Sequence, residues 1–272
     1  MQAPDTKEAA VIDSLADDLD LICRETAKAA EIALDYFQSP NRLNVQMKEG
    51  NSPVSDGDLA TNDYLQESLK RARPDYGWLS EETEEIDSGA RQRARRTFVV
   101  DPIDGTRAYI SGGRMWCVSV GIVEDGLPIA GVLVCPVLGE TWHAARGYGA
   151  FRNDVRLSSA VPDGPIVMAG KKHLIASFAD QAGITAHTHP HVPSLAYRIA
   201  MVASGQLAGT FVRRGCHDWD IAAAMSILSE TGREICDHDG HSIRLNAELV
   251  KKPALIAADN RCIETMVTVA EA

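Results

Sequence analysis

The chain has 272 residues, 45% hydrophobic and 24% charged, enough to bury a full core in one large or two modest domains without disulfide support. Lys plus Arg number 27 against 38 Asp plus Glu, a net charge of −11, which argues against a nucleic-acid polymer or an anionic membrane surface as partner. Six scattered cysteines without a C-x-x-C pair or zinc spacing read as reduced thiols. With no basic-then-apolar leader and no run near 18 apolar residues, the chain is expected in the cytoplasm.

In chain order, residues 8–37 predict a long helix with Ile12, Leu15, Leu19 and Ile22 on its apolar face and Asp17, Asp18 and Arg24 opposite. After the loop Glu49-Gly-Asn-Ser-Pro53, a second helix is expected to start at Asp58 as N-cap and to end before Pro74, burying Leu65, Leu69 and Ala72. Thr97–Val100 reads as a strand stopping at Asp101. Strands over 116–123, 129–135 and 141–144, the first two joined by the turn signal Glu124-Asp-Gly-Leu-Pro128, suggest an antiparallel meander.

Val161-Pro-Asp-Gly-Pro165 offers a boundary, giving an N-terminal α+β part (1–160) and a C-terminal α/β part (161–272). In the second part a strand over 166–169, a helix over 171–182, a helix over 194–204 closed by Gly205, a strand over 209–213, a helix over 220–231 closed by Gly232, a strand over 254–258 and a final helix alternate. The expected fold class is a layered α+β/α/β sandwich, with an antiparallel sheet in the first part and a mixed sheet in the second.

The chemistry concentrates in Asp101-Pro-Ile-Asp-Gly-Thr106, directly after a strand. Two carboxylates lie three residues apart in a turn stiffened by Pro102, Ile103 can bury its side chain with its carbonyl free, and Gly105 permits close backbone approach. All-oxygen donors of this kind suit a hard cation such as Mg²⁺, and a helix starting here would aim the Gly105 and Thr106 amides at an anion. The bland reading is an Asp-rich capped turn. Ser80-Glu-Glu-Thr83, with Glu84, Glu85 and Asp87 following, reads alone as a solvated acidic run, and Cys216-His-Asp-Trp-Asp220 reads alone as a helix cap.

Together, Ser52-Pro53…Asp58, Leu79-Ser-Glu-Glu82, Phe98-Val-Val-Asp-Pro-Ile-Asp-Gly-Thr106 and Trp219-Asp-Ile-Ala-Ala223 resemble, in order and spacing, the inositol monophosphatase superfamily over nearly the whole chain. The resemblance implies a layered αβαβα sandwich and a Mg²⁺-dependent, usually Li⁺-inhibited hydrolysis of phosphate monoesters by a metal-activated water. It implies two to three Mg²⁺ per site, with Mn²⁺ able to substitute. Glu81, Asp101, Asp104, Asp220 and the Ile103 carbonyl match its metal ligands. Asp58 and Thr106 match the pair that activates water, Gly105 and Thr106 the phosphate-contacting amides, and Glu82 an acidic position behind the ligands. Four clustered carboxylates would repel one another by several kcal/mol, about 4 per pair at 4 Å and an effective dielectric of ~20, unless cations neutralise them. The implied partner is a small phosphorylated metabolite. The family is often dimeric, which leaves a homodimer open.

For the substrate, the position seven residues before Asp220 carries Glu in inositol phosphatases and Arg213 here, and a guanidinium cannot accept inositol hydroxyl protons. It suits a second anionic group. Arg198 falls where the bacterial 3′(2′),5′-bisphosphate nucleotidases carry a base, and Gly170-Lys-Lys-His173 is similar to their basic stretch. These features favour 3′-phosphoadenosine 5′-phosphate, with Lys172, Arg198 and Arg213 toward its 5′-phosphate or purine side and His217 as a further candidate contact. Arg107-Ala-Tyr109 departs from those nucleotidases and resembles histidinol-phosphate phosphatases, so histidinol phosphate and inositol 1-phosphate stay open. So does a non-catalytic regulator on the same fold. His187-Thr-His-Pro-His191 reads as a surface loop.

Overall fold

The computed structural model describes residues 6–39, 41, 43–48, 52–84 and 88–271, and side chains from 15 onward. Ile12, Glu49, Glu85 and Asp87 therefore fall outside the described side chains. The chain runs α1 (Thr6–Gln38), β1 (Val45–Met47), β2 (Pro53–Ser55), α2 (Asp56–Ala72), β3 (Gly77–Ser80), α3 (Ser88–Arg93), β4 (Arg96–Asp104) and α4 (Thr106–Ile110). The meander β5 (Cys117–Glu124), β6 (Leu127–Cys135), β7 (Glu140–Ala145), β8 (Gly149–Arg152) and β9 (Val155–Arg156) follows. Then come β10 (Ile166–Ala169), α5 (Lys172–Ala182), β11 (Ala186–Thr188), α6 (Leu195–Ala203), β12 (Gly209–Val212), α7 (Asp218–Ser229), β13 (Glu234–Asp237), β14 (Leu255–Ala258) and α8 (Ile263–Glu271).

Two sheets form the inner layers. The seven-stranded sheet has the order β3-β4-β5-β6-β7-β8-β9 and is antiparallel except where β3 runs parallel to β4. The five-stranded sheet, β11-β10-β12-β14-β13, is mixed: β10 lies parallel to β11 and β12, whereas β14 is antiparallel to β12 and β13.

Strand alternation decides how the layers stack. On β5 and β6, Val118, Val120, Ile122, Val132 and Val134 pack on one side with Ile22 of α1 and with Leu65 and Leu69 of α2. Cys117, Val123, Leu133 and Cys135 pack with α6 and α7 on the other. Strands buried on both faces read as near-continuous apolar runs, as these do. The five-stranded sheet closes the α6–α7 layer, and α5 and α8 cover its far face around Phe178, Ile256 and Met266. The order is α1/α2, seven strands, α6/α7, five strands, α5/α8, the expected layered sandwich. Gly131 lets α7 press onto β6: a Cβ there would stand 2.5 Å from the Ala223 carbonyl oxygen.

Four local expectations change. Ser55, not Asp58, caps α2; Asp58 is the third helical residue and completes a capping box with Ser55. Both residues are good caps, but only Ser55 has the extended backbone the position needs. β4 does not stop at Asp101 but continues with a register shift to Asp104. Ala72 is exposed at the end of α2. Asp18, expected on the polar side of α1, is fully buried: it stands one turn from Leu15 and Ile22, and Arg73, Tyr76 and Arg96 converge on its carboxylate at 2.8, 2.6 and 2.7 Å. All six cysteines are free thiols. Among the described residues no helix is long and apolar enough to cross a membrane.

Candidate metal centre and substrate cleft

The chemistry-bearing residues meet where several elements end or begin. β4 delivers Asp101 and Asp104 at its C-terminal end, the turn after β3 delivers Glu81 and Glu82, and the first turns of α2 and α7 deliver Asp58 and Asp220. Asp101, Asp104 and Asp220 each offer one carboxylate oxygen, and the three oxygens lie within 4.8 Å of one another. Asp101 and Asp104 are buried and Ile103 between them is fully so. The Asp101 carboxylate bends back to accept the Ile103 amide at 3.1 Å, which fixes the turn.

Burial, then Glu81, Asp104 and Asp220 in turn, holds the Asp101 carboxyl well above the usual carboxylate range. Burial and the Asp104 charge do the same to Asp220, although the His217 amide donates to it at 2.5 Å. Burial raises Asp104 against the opposing hydrogen bonds from Ser194 Oγ (2.5 Å) and the Ala196 amide (2.6 Å). Three clustered acids, two of them buried and the third half-buried, resist ionisation together and offer only oxygen donors; they fit a hard divalent cation, whose charge removes the conflict.

The Glu81 carboxylate raises its neighbours' proton affinity but is itself engaged. Lys48 Nζ bridges Glu81 Oε1 at 3.0 Å and Glu82 Oε1 at 2.8 Å. Burial pushes the Glu82 carboxyl up to about 7 despite Lys48. Sequence reasoning missed Lys48, which lies on the arm after β1 and has no local link to Glu81.

Gly105 has φ of +97° and ends β4 so that Thr106 starts α4. Thr106 Oγ1 lies 3.0 Å from the Ile103 carbonyl and 3.3 Å from Asp58 Oδ1. Asp58 Oδ2 is taken by the Ser55 amide at 2.8 Å and the Ser55 hydroxyl at 2.5 Å. Burial pushes the Asp58 carboxyl up to about 6, against those hydrogen bonds.

Beside this cluster opens a cleft of about 880 Å³ whose walls include Lys171, Lys172, Arg198, Arg213 and Arg214. α6 joins the two features: its N-cap Ser194 holds Asp104, and Arg198 stands one turn later on the same helix. Among the described residues no hydrogen-bond partner reaches the buried Arg198 Nε. Burial lowers the Arg198 proton affinity while Asp104 supports it and Arg213 opposes it, so the three charges are neighbours. His187 and Thr188 belong to β11 rather than to a free loop, and His189 and His191 line the cleft. The cause is the parallel pairing of β11 with β10, which local composition does not reveal. His217 lies outside that cleft lining; it precedes α7, stacked on Trp219 with ring centroids 4.6 Å apart.

The sequence model of the Inositol monophosphatase family matches residues 16–271. A 3′(2′),5′-bisphosphate nucleotidase CysQ from Aggregatibacter actinomycetemcomitans is 32% identical, over 72% of this chain and 76% of that protein. A histidinol-phosphatase from Chlorobaculum parvum is 31% identical, over 89% and 92%. The crystal structure of extragenic suppressor protein suhB from Bartonella henselae superposes with a TM-score of 0.79 at 25% identity, covering 94% of this chain and 98% of that one.

Proposed function

The chain belongs to the inositol monophosphatase family and is a metal-dependent phosphomonoesterase, and on that premise we propose that its substrate is 3′-phosphoadenosine 5′-phosphate, cleaved at the 3′-phosphate. The observation that carries the choice is Arg198, a half-buried cation whose buried Nε meets no partner among the described residues, on the helix that holds Asp104, in a cleft lined by four further Lys and Arg side chains. A buried donor without a partner costs free energy unless a ligand completes it, and a guanidinium completes best on phosphate. Inositol 1-phosphate and histidinol phosphate bring no second phosphate to that cleft.

Asp101, Asp104 and Asp220, with Glu81 and the Ile103 carbonyl beside them, would hold Mg²⁺. When bound, the metal supplies Lewis-acid polarisation of the phosphate and lowers the pKa of water. The remaining steps belong to the chain. The Gly105 and Thr106 amides would receive the phosphate oxygens. The Thr106 hydroxyl, with one proton to donate, turns from Ile103 toward Asp58, and its oxygen then accepts from the attacking water. Asp58, buried and basic for a carboxylate, receives the proton through Thr106. The P–O bond to the ribose breaks, the new P–O bond comes from water, and the products are an alcohol and inorganic phosphate. Lys172, Arg198 and Arg213 orient the far phosphate, and the His217–Trp219 stack walls the Asp220 side.

The test is phosphate release with Mg²⁺ from 3′-phosphoadenosine 5′-phosphate, inositol 1-phosphate and histidinol phosphate, each with and without Li⁺. The expected result is a kcat/KM at least about a hundredfold higher for the nucleotide, about 2.7 kcal/mol of transition-state discrimination. Preference for either other ester overturns the substrate assignment and leaves the metal site standing. No turnover of any ester would favour a regulator on the same fold.

A further inference from the structure

The carboxylates that would share a metal come from separate elements, and one loop ties those elements together. Asp101 and Asp104 sit on β4, whereas Asp220 sits on the first turn of α7. The helix starts at Asp218, which is fully buried and held from three directions. Its Oδ1 is 2.7 Å from Lys252 Nζ, its Oδ2 accepts the Asn246 amide at 2.6 Å, and its own amide donates to the Val250 carbonyl at 3.0 Å. Asn246 then reaches the other way. Its Nδ2 donates to Thr97 Oγ1 at 3.1 Å and its Oδ1 accepts from Arg91 Nη1, while Arg91 Nη2 donates to the Ala247 carbonyl at 3.2 Å. Thr97 is a buried residue of β4, four positions before Asp101, and Arg91 is a buried residue of α3.

From this geometry we infer that Asn246 is a positioning residue that sets the place of Asp220 relative to Asp101 and Asp104. The inference rests on the reading of those three carboxylates as metal ligands. One residue spans the gap: its backbone holds the start of α7 and its side chain holds β4 and α3. Its φ of +62° lies in the left-handed region, which aims amide and side chain in opposite directions and which Asn tolerates better than most residues. Asn suits the role because it donates and accepts without adding charge near a crowded carboxylate cluster. The Asp218–Lys252 pair is likewise neutral in sum. A displacement of about 1 Å between oxygens is serious for Mg²⁺, which demands near-ideal octahedral geometry.

The experiment measures Mg²⁺ affinity by calorimetry without substrate, beside Tm. Asn246→Gly keeps the amide to Asp218 and the permissive backbone but deletes both side-chain arms. Thr97→Val removes one arm without changing shape. Val269→Ala, in α8 on the far side of the five-stranded sheet, is the control for general destabilisation. The expected result is Mg²⁺ binding at least fivefold weaker in Asn246→Gly, weakened to a smaller degree in Thr97→Val, and unchanged in Val269→Ala. The kcat/KM loss of Asn246→Gly should shrink as Mg²⁺ approaches saturation. Wild-type affinity in both tie variants overturns the inference, as does equal weakening in Val269→Ala. If Asn246→Gly does not fold, Thr97→Val decides. Absence of saturable Mg²⁺ binding in the wild type would instead remove the metal reading, and this inference with it.

Discussion

Thr106 Oγ1 lies 3.3 Å from Asp58 Oδ1, joining the start of α4 to the first turn of α2 across 48 residues of sequence. The other Asp58 oxygen is saturated by Ser55, so Oδ1 alone is available to move a proton. Replacing Asp58 with Asn keeps size and the Thr106 contact but removes the base. The expected loss in kcat is at least about a hundredfold, the lower range for a positioned acid–base group. Mg²⁺ affinity measured by calorimetry should change less than threefold. A kcat within tenfold of wild type would show that the proton leaves by another route.

Asp104 differs from Asp58 in being both a candidate metal ligand and the anchor of α6. Its Oδ2 accepts from Ser194 and Ala196, leaving Oδ1 for a cation. Asp104→Asn is expected to be several hundredfold slower than wild type at fixed Mg²⁺ while remaining folded. Equal rates would sink the site assignment. Ser194→Ala should weaken Mg²⁺ binding in the same direction but less, because the Ala196 amide still holds the carboxylate.

Stability should depend on pH in the direction set by the acid cluster. Burial pushes Asp58 up to about 6 and Glu82 up to about 7, and holds Asp101 and Asp220 well above the usual range, whereas in the unfolded chain all titrate near 4. The native protein therefore binds more protons than the unfolded chain from about pH 4 to 7, and stability falls as pH rises through that window. Glu25 and Glu124, lowered on balance although burial opposes it, act in the opposite sense, but their contribution is lost only below the window. Metal-free protein should melt higher at pH 5 than at pH 8. Saturating Mg²⁺ should raise Tm more at pH 8, because it binds the ionised carboxylates. A metal-free Tm that climbs from pH 5 to 8 contradicts the account.

Asp18 is a point of sensitivity to mutation outside the site, fully buried and shared by three partners. It receives Arg73, Arg96 and the Tyr76 hydroxyl, and Arg96 is itself 5% exposed. Asp18→Ala strips Arg96 of this carboxylate and leaves it the pair with Glu124. Breaking a buried pair from one side costs roughly 3 kcal/mol, a fall in Tm of roughly 6–12 °C in a chain of this size. The folded fraction should retain wild-type KM, since this network joins α1, the α2–β3 connection and the start of β4, and none of its residues lines the cleft.

How far the sequence can be read follows from the range of each interaction. The β5–β6 hairpin is legible because alternation and a turn signal are local, and the DPIDGT turn because its donors lie within six residues. Asp18 is misread by its charge: the period sets it one turn from Leu15 and Ile22, beside the apolar stripe, but the partners that satisfy its carboxylate there lie 55 to 78 residues away. Asp58 and Ser55 compete for one cap, and only the backbone angle at Ser55 decides. Lys48 on Glu81 and Ser194 on Asp104 join segments 33 and 90 residues apart, with no spacing rule to announce them. His189 and His191 enter the cleft because β11 pairs in parallel, after an intervening helix, with β10.

Arg198 offers a test in which stability and activity should move in opposite directions. In the free protein its Nε is buried without a partner, so the side chain carries a desolvation penalty that nothing described returns. Arg198→Met keeps much of the volume and removes the charge and the orphaned donor. Replacement of such a group by a packed apolar one is expected to raise stability by about 1–2 kcal/mol, or a Tm increase of roughly 2–8 °C. If the guanidinium exists to meet a second phosphate, the same variant should lose at least about thirtyfold in kcat/KM for 3′-phosphoadenosine 5′-phosphate and little for inositol 1-phosphate. Arg213→Glu, exposed at the cleft wall, should lose activity on the nucleotide without the gain in Tm. A residue retained for packing alone predicts the reverse for Arg198: a lower Tm in the Met variant and an even loss across all esters. The pairing of a stability gain with a substrate-selective loss separates a ligand-binding arginine from a structural one.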